Sequence, residues 1–185
     1  MPGGGIPALI RAVSLRLQKI VSGGQTGADR AALDFALAHH IPHGGWCPLG
    51  RWAEDGPIPA RYRLKETPSP DPVQRTEWNV RDSDGTVIFS IAPILTGGSE
   101  LTALLARQYR KPLLHLSRRR DGNAAARKLS LFLRKHHIRV LNVAGPRRSA
   151  DPAVGVFARR VLESLRPGPN RRGMRPPRGD PEAIW

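Results

Sequence analysis

Lys19-Ile-Val-Ser-Gly-Gly-Gln-Thr-Gly-Ala-Asp-Arg-Ala-Ala-Leu-Asp34 is the stretch on which the reading of this chain turns. Ile20, Val21 and Ser22 read as the end of a short buried strand, Gly23 to Gly27 as a tight loop, and Ala28 to His39 as a helix built on alanine and leucine. A strand that runs through glycines into a helix is a natural place for an anion. Glycine lets the backbone turn sharply and lets a ligand come close, and the first helical turn offers unpaired N–H groups at the positive end of the helix dipole. Gln25 and Thr26 add side-chain donors at the same rim. The stretch is neither Gly-x-Gly-x-x-Gly nor a phosphate loop ending in Gly-Lys-Ser/Thr, so the plainer alternative is a tight turn and nothing more.

The same logic recurs further along. Gly85 to Ile91 is a buried strand, rich in β-branched and apolar residues without alternation, as expected when both faces of a sheet are covered. It leads through Leu95-Thr-Gly97-Gly98-Ser99-Glu100 into a helix marked by Leu101, Leu104, Leu105 and Gln108. Lys111 to Leu116 supplies another strand, and Asp121 or Asn123 can cap a helix carrying Ala125, Leu129, Phe132, Leu133 and His136 on one face. Ile138 to Val143 is the last strand and ends in Ala144-Gly145-Pro-Arg147-Arg-Ser149, a third loop placed to meet phosphate, before a closing helix over Asp151 to Leu165. Strands alternating with helices imply an α/β fold, doubly wound, with a mostly parallel sheet and helices on both faces. Ligands bind such sheets beyond the carboxyl ends of the strands, where all three loops converge.

Between the first helix and the Gly85 strand the chain is irregular. Ile41 to Pro59 is dense in glycine and proline, leaving room for little beyond a short strand near His43 to Cys47. Trp46 and Trp52 could stack on a base or pterin ring, but the tendency of tryptophan to be largely buried favours a role anchoring the loop. Arg75 to Arg81 reads as a short helix with Arg75 and Asn79 on one face. Glu66, Glu77 and Asp84 are the acids best suited to proton chemistry or to a cation, against the simpler reading that they pair with the many arginines.

Composition sets limits on function. The 185 residues are 39% apolar and contain one cysteine, Cys47, so no internal disulfide can form. Apolar runs are too short to span a bilayer, and Arg11 and Arg16 interrupt the N-terminal segment where a secretory peptide needs an unbroken apolar stretch, so a cytoplasmic protein with no membrane partner is expected. The net charge is +15, of which the lead-in (1–18) and the tail (167–185) hold +2 each, leaving +11 on the body. Such basicity attracts phosphates in general, although genomic bias toward arginine explains part of it. His136 and His137 are adjacent, so they diverge on a helix and make no metal pair; no metal site is expected. The domain expected to fold is 19–166, with residues 1–18 a poorly ordered lead-in and 167–185 a disordered basic tail.

Six blocks, in order, resemble the putative molybdenum carrier family: Ser22 to Asp34, Gly45-Trp-Cys-Pro48, Gly50-Arg51 with Ala53-Glu-Asp-Gly56, Arg75-Thr-Glu-Trp-Asn-Val80, Asp82-Ser-Asp-Gly-Thr86 and Gly97-Gly-Ser99. That family is similar to YpsA-like members of the SLOG superfamily, which also holds the DprA and LOG proteins. The resemblance spans about residues 19 to 165 and implies a Rossmann-like fold, with a nucleotide-like or phosphorylated ligand; the family name points to molybdenum cofactor or molybdate. LOG enzymes remove the base from nucleoside monophosphates with a glycine-rich loop, an arginine and a glutamate, and Gly97-Gly98-Ser99-Glu100 partly resembles that loop. A dimer or tetramer is also implied.

The expectation is therefore a binding protein for a phosphate-bearing small molecule. Gly23, Gly24, Gln25, Thr26, Gly27, Gly97, Gly98 and Ser99 would hold phosphate, with Gly145 of the third loop as a further binding residue. Arg30, Arg75 and Arg147 would neutralise charge, with Glu77 and Asp84 for sugar or cation contacts or for catalysis. A carrier or sensor is the leading reading. The alternatives are an N-glycosidic nucleotide hydrolase and, on the strength of the basic helix near 123–136, a nucleic-acid-binding module.

Overall fold

In the computed structural model residues 17–165 are described; the expected basic tail and nearly all of the expected lead-in lie outside the described residues. In chain order the elements are β1 (Lys19–Val21), α1 (Ala28–Ala38), β2 (His43–Gly44), β3 (Trp46–Cys47), β4 (Trp52–Ala53), β5 (Gly56–Pro57), β6 (Lys65–Glu66) and α2 (Pro72–Arg81). They continue with β7 (Gly85–Ser90), α3 (Gly97–Gln108), β8 (Leu113–Ser117), α4 (Arg118–Asp121), a single 3₁₀ turn at Gly122–Ala124, α5 (Ala125–Lys135), β9 (Val140–Ala144) and α6 (Val154–Glu163).

Five strands make one parallel sheet in the order β2-β1-β9-β7-β8. Every residue of β7 is buried, which is why that strand reads as a continuous run of Gly-Thr-Val-Ile-Phe-Ser rather than an alternation. On one face Ile20, Val87, Phe89, Leu116, Leu141 and Val143 pack against Phe35 of α1, Leu129 of α5 and Phe157 and Val161 of α6. The other face carries α2 and α3, where Val80, Leu105 and Ala106 form a smaller core with Leu101, Tyr109 and Leu113. Helices on both faces of a parallel sheet are the doubly wound, Rossmann-like arrangement.

The sheet order places a topological switch point. When the strands are numbered from β9, with the chain's end read as running on into its beginning, the sheet becomes 3-2-1-4-5, the order of a Rossmann sheet. In that numbering the first strand-to-helix turn is the one after β9. The order reverses between β9 and β7, so the crevice should open above Ala144 and Ser90.

Two local expectations need correction. The helix expected after Asp121 or Asn123 forms as α5, with Ala125, Leu129, Phe132 and Leu133 buried, but it starts without a side-chain cap, His136 is exposed just past its end, and α4 and a 3₁₀ turn precede it, with Gly122 at φ 43°. Asp121 does not cap α5. Its buried carboxylate accepts the Ser117 N–H at 2.7 Å and is held by Arg120 and Lys128, which keep its pKa far below the usual carboxylate range although burial alone would raise it. The segment 41–66 is also more ordered than its glycines and prolines suggest. β3 pairs with β6, β4 with β5, and Arg51 donates to the carbonyls of Ile58, Pro59, Tyr62 and Leu64. Leu33 of α1 joins Cys47, Ala53, Ile58, Tyr62 and Leu64 in a third core beneath it. No helix among the described residues is long and apolar enough to cross a membrane.

Candidate functional site

Beyond the carboxyl ends of the strands, the turn after β9, the start of α3, the loop after β1, the start of α2 and the β4–β5 hairpin line a crevice of about 350 Å³. Gly97, Gly98 and Ser99 are the first turn of α3, and their N-cap, Thr96, makes no side-chain cap hydrogen bond. A Cβ added to Gly97 or Gly98 would meet nothing within 4 Å, so this turn is open. Ser99 is only 7% exposed, yet its hydroxyl has no hydrogen-bond partner. Arg75, projected from α2 into the same crevice, has a buried Nε that is likewise unpartnered. An unpaired buried polar atom costs about 1–3 kcal/mol. The two residues that carry such atoms, Ser99 and Arg75, line the same crevice.

Arg75 is held in place from below. Its Nη1 lies 3.2 Å from Oδ2 of Asp29, in the first turn of α1, and the guanidinium covers Gly23 so closely that a Cβ there would stand 1.8 Å from Nη1. Burial pushes the Asp29 carboxyl above its usual pKa; Arg75, the Gln25 and Gly23 N–H groups and the Ser22 hydroxyl pull the other way. Arg75 therefore has one face committed to Asp29 and one face toward the crevice.

The glycine loop after β1 is placed differently from expectation. The Gln25 N–H donates to Asp29 at 3.3 Å, and the Thr26 N–H donates to the Gln25 side chain at 3.0 Å. Gln25 Oε1 also accepts the Glu54 N–H at 3.0 Å, while the Thr26 hydroxyl bonds Glu54 and accepts the Arg148 N–H. The amides of Gln25 and Thr26 are thus engaged inside the protein, and of this loop only Gly23 and Gln25 line the crevice. Gly24, at φ 80°, packs against Leu64 and Ile58, and Gly27, at φ 83°, packs against the Pro146 carbonyl. Arg30 points away, bonded to both oxygens of Asp55 at 2.5 and 2.8 Å. Gly145 and Arg147 do line the crevice; Gly145 squeezes between the Phe89 carbonyl and Ala28, and Arg147 lies 3.6 Å from Glu54.

Residues 20–166 match the circularly permutated YpsA SLOG family. The chain belongs to that family. Its permuted name agrees with a sheet that takes Rossmann order only when read from β9. A solved relative is the crystal structure, at 1.45 Å, of a putative molybdenum carrier protein from Syntrophus aciditrophicus SB. It is 52% identical, superposes with a TM-score of 0.79, and the match covers 81% of this chain and 95% of that one. No curated protein matches.

In this YpsA-family protein the three acids singled out from the sequence lie outside the crevice; Glu66, on β6, accepts the Gly50 N–H at 2.6 Å. Glu77 is two residues from Arg75 on α2, about 200° round the helix, and its carboxylate accepts the Tyr109 hydroxyl of the neighbouring helix end. Asp84 precedes β7, at the other end of the sheet, and caps the N–H groups of Arg139 and Val140 at 2.9 and 2.8 Å. Asn79 shares the Arg75 face as expected, holding Trp46 by both its N–H and its carbonyl. The acids near the crevice that sequence reasoning passed over are Asp29 and Glu54. Glu54 bonds Thr26 and the Ser149 hydroxyl and N–H, and these bonds, Ser149 first, lower its pKa. Asp29 stood within the opening motif, but nothing local signalled that an arginine from α2 would reach it.

Proposed function

We propose that the crevice binds the anionic group of a small molecule, a phosphate or a tetrahedral oxyanion such as molybdate, and that the protein serves as its carrier. The observation that supports this reading is that Ser99 and Arg75, each with a buried polar atom that bonds nothing (Ser99 Oγ and Arg75 Nε), both line one cavity at the open N-terminus of α3. A hydroxyl, a guanidinium and the first amides of a helix are donors suited to an oxyanion. Molybdenum would enter as an oxyanion or as part of a larger ligand: Cys47 is buried in the third core, and among the described residues no cluster of His, Cys, Asp and Glu could hold a metal ion. A carrier role agrees with the name of the Syntrophus relative.

Ser99→Ala tests this directly. Removing a buried hydroxyl that bonds nothing should leave the unfolding midpoint unchanged or raise it, because an unsatisfied group is deleted. The same change should weaken binding of molybdate or inorganic phosphate about tenfold, measured by isothermal titration calorimetry. Equal anion affinity in the wild type and the variant, or no binding of either anion to the wild type, overturns the reading. Elemental analysis of the freshly purified protein for molybdenum reports separately on the cargo.

A further inference from the structure

We propose that the protein carries a second ligand site, in a cavity between α6 and the turn from α4 into α5, and that this site takes an amphipathic organic anion: a carboxylate or similar charged head joined to an apolar body. The cavity shares no lining residue with the crevice, and what it binds does not depend on Ser99 or Arg75.

The cavity measures about 550 Å³, within the range of pockets for whole organic ligands, about 300–1,000 Å³. Val156, Arg160 and Ser164 follow one another at four-residue steps along α6 and its C-cap, and Phe157 and Val161 do the same one position on, so the five line the cavity from one face of the helix. The remaining lining is Arg118 at the start of α4, Gly122 and Asn123 of the 3₁₀ turn, and Ala126 in the first turn of α5.

Part of this lining is apolar. Phe157 and Val161 are 6% and 4% exposed and belong to the main core, whereas Val156 is 74% exposed. The other part is cationic and has no counter-charge. Arg118 and Arg160 both line the cavity, and among the described residues neither guanidinium makes a hydrogen bond or an ion pair. The helices around it, α4, α5 and α6, hold two acids: Asp121 is taken by Arg120 and Lys128, and Glu163 by His39. Among the described residues no acid lines the cavity. Arg30 and Arg75, by contrast, each have an aspartate.

A guanidinium binds a carboxylate or a sulfonate through paired N–H donors, and apolar surface is stabilised by withdrawal from water. A bare oxyanion would use the arginines and leave Val156 in water. A nucleic-acid strand would do the same, since its attraction is mainly between phosphate and positive charge. A ligand with a charged head and an apolar body engages both kinds of lining.

The probe is anilinonaphthalene sulfonate, an aromatic body with one fixed negative charge, followed by its fluorescence on the full chain. The wild type should bind it saturably, and octanoate should displace it whereas acetate, the same head without the body, should not at equal concentration. Arg160→Glu and Val156→Asp, which change the charged and the apolar lining in turn at exposed positions, should each weaken binding about tenfold with the urea unfolding midpoint unchanged. Ser99→Ala should leave binding of the dye as it is. Absence of saturable binding, or binding that ignores both α6 variants, overturns the site. Loss of the dye in Ser99→Ala would place it in the crevice and overturns the site as well, and displacement by acetate as readily as by octanoate overturns the amphipathic class.

Discussion

The chain contains two glycine-rich helix starts that look alike on paper and are put to opposite uses. Before α1, Gly23-Gly-Gln-Thr-Gly27 is filled from within: Asp29, Gln25 and Thr26 engage one another's donors, and Glu54 and Arg148 close over them. Before α3, Gly97-Gly98-Ser99 is left open, with a buried hydroxyl that bonds nothing. What separates them is their surroundings. The first lies beneath the hairpin of residues 52–57 and the turn after β9, which bring polar groups to it. The second stands across the crevice from Arg75. Glycine spacing thus marks where backbone comes close to something, and only the tertiary neighbours decide whether that something is protein or ligand.

The largest effect that would sharpen this contrast is at Gly27. An alanine there would need φ near 83°, and its Cβ would lie 2.5 Å from the Pro146 carbonyl oxygen and 3.1 Å from the Arg148 nitrogen, both backbone atoms that cannot swing aside. Strain and overlap together should cost about 2–4 kcal/mol, read from urea unfolding midpoints of Gly27→Ala. A loss below about 1 kcal/mol would mean that the turn after β9 yields easily and that the first loop is not the fixed part of the site.

Why one loop was legible and the other was not follows from the range of the forces involved. The parallel sheet, the helices and the convergence of three loops were written in local periodicity: a non-alternating run at Gly85 to Ser90 and glycines ahead of two helices. Arg75 and Ser99 were among the residues expected to bind, and the structure brings them to one crevice. Arg30 carries the same charge in a better-looking motif but has Asp55, twenty-five residues away, to satisfy it. Asp84 looked like a functional acid because sequence shows a carboxylate without showing the end of the sheet at which it lies. Glu54 was hidden for the converse reason, since its partners Thr26 and Ser149 come from loops far apart in the chain. Pairing of side chains across elements has no period, and so it leaves no pattern to read.

The next effect is one of pH and tests how completely the first loop is closed. Asp29 is buried with its pKa raised from 3.8, burial outweighing Arg75. A carboxyl whose folded value lies above its unfolded value contributes stability that is fully present below pH 3.8 and is lost as pH rises through the folded value. Asparagine in its place does not titrate. From about pH 4 to about pH 7 the wild type should therefore lose stability relative to Asp29→Asn, so that the difference in urea midpoint moves steadily toward the variant. A difference that stays flat, or that moves toward the wild type, would show that attraction to Arg75 outweighs burial and that the carboxylate is charged throughout.

The smallest effect on the fold, and the most telling about the open loop, is at Gly98. It sits in the first turn of α3 with free space where a Cβ would go, and its backbone is not in the left-handed region. Gly98→Ala should therefore leave stability unchanged or raise it by about 0.5–1 kcal/mol, as alanine restricts the unfolded chain and favours the helix. The added methyl group would stand in the crevice that Gly98 lines. If an anion is held against the first turn of α3, the methyl crowds it, and affinity for inorganic phosphate or molybdate should fall severalfold while the unfolding midpoint holds or climbs. The same substitution in the first loop, at Gly23, would drive a Cβ into the Arg75 guanidinium and disturb the fold and the site together. Opposite movement of stability and affinity at Gly98 is thus what an open, ligand-facing turn predicts, whereas an affinity that ignores the methyl group would place the anion elsewhere in the crevice, on Arg75 and the turn after β9 alone.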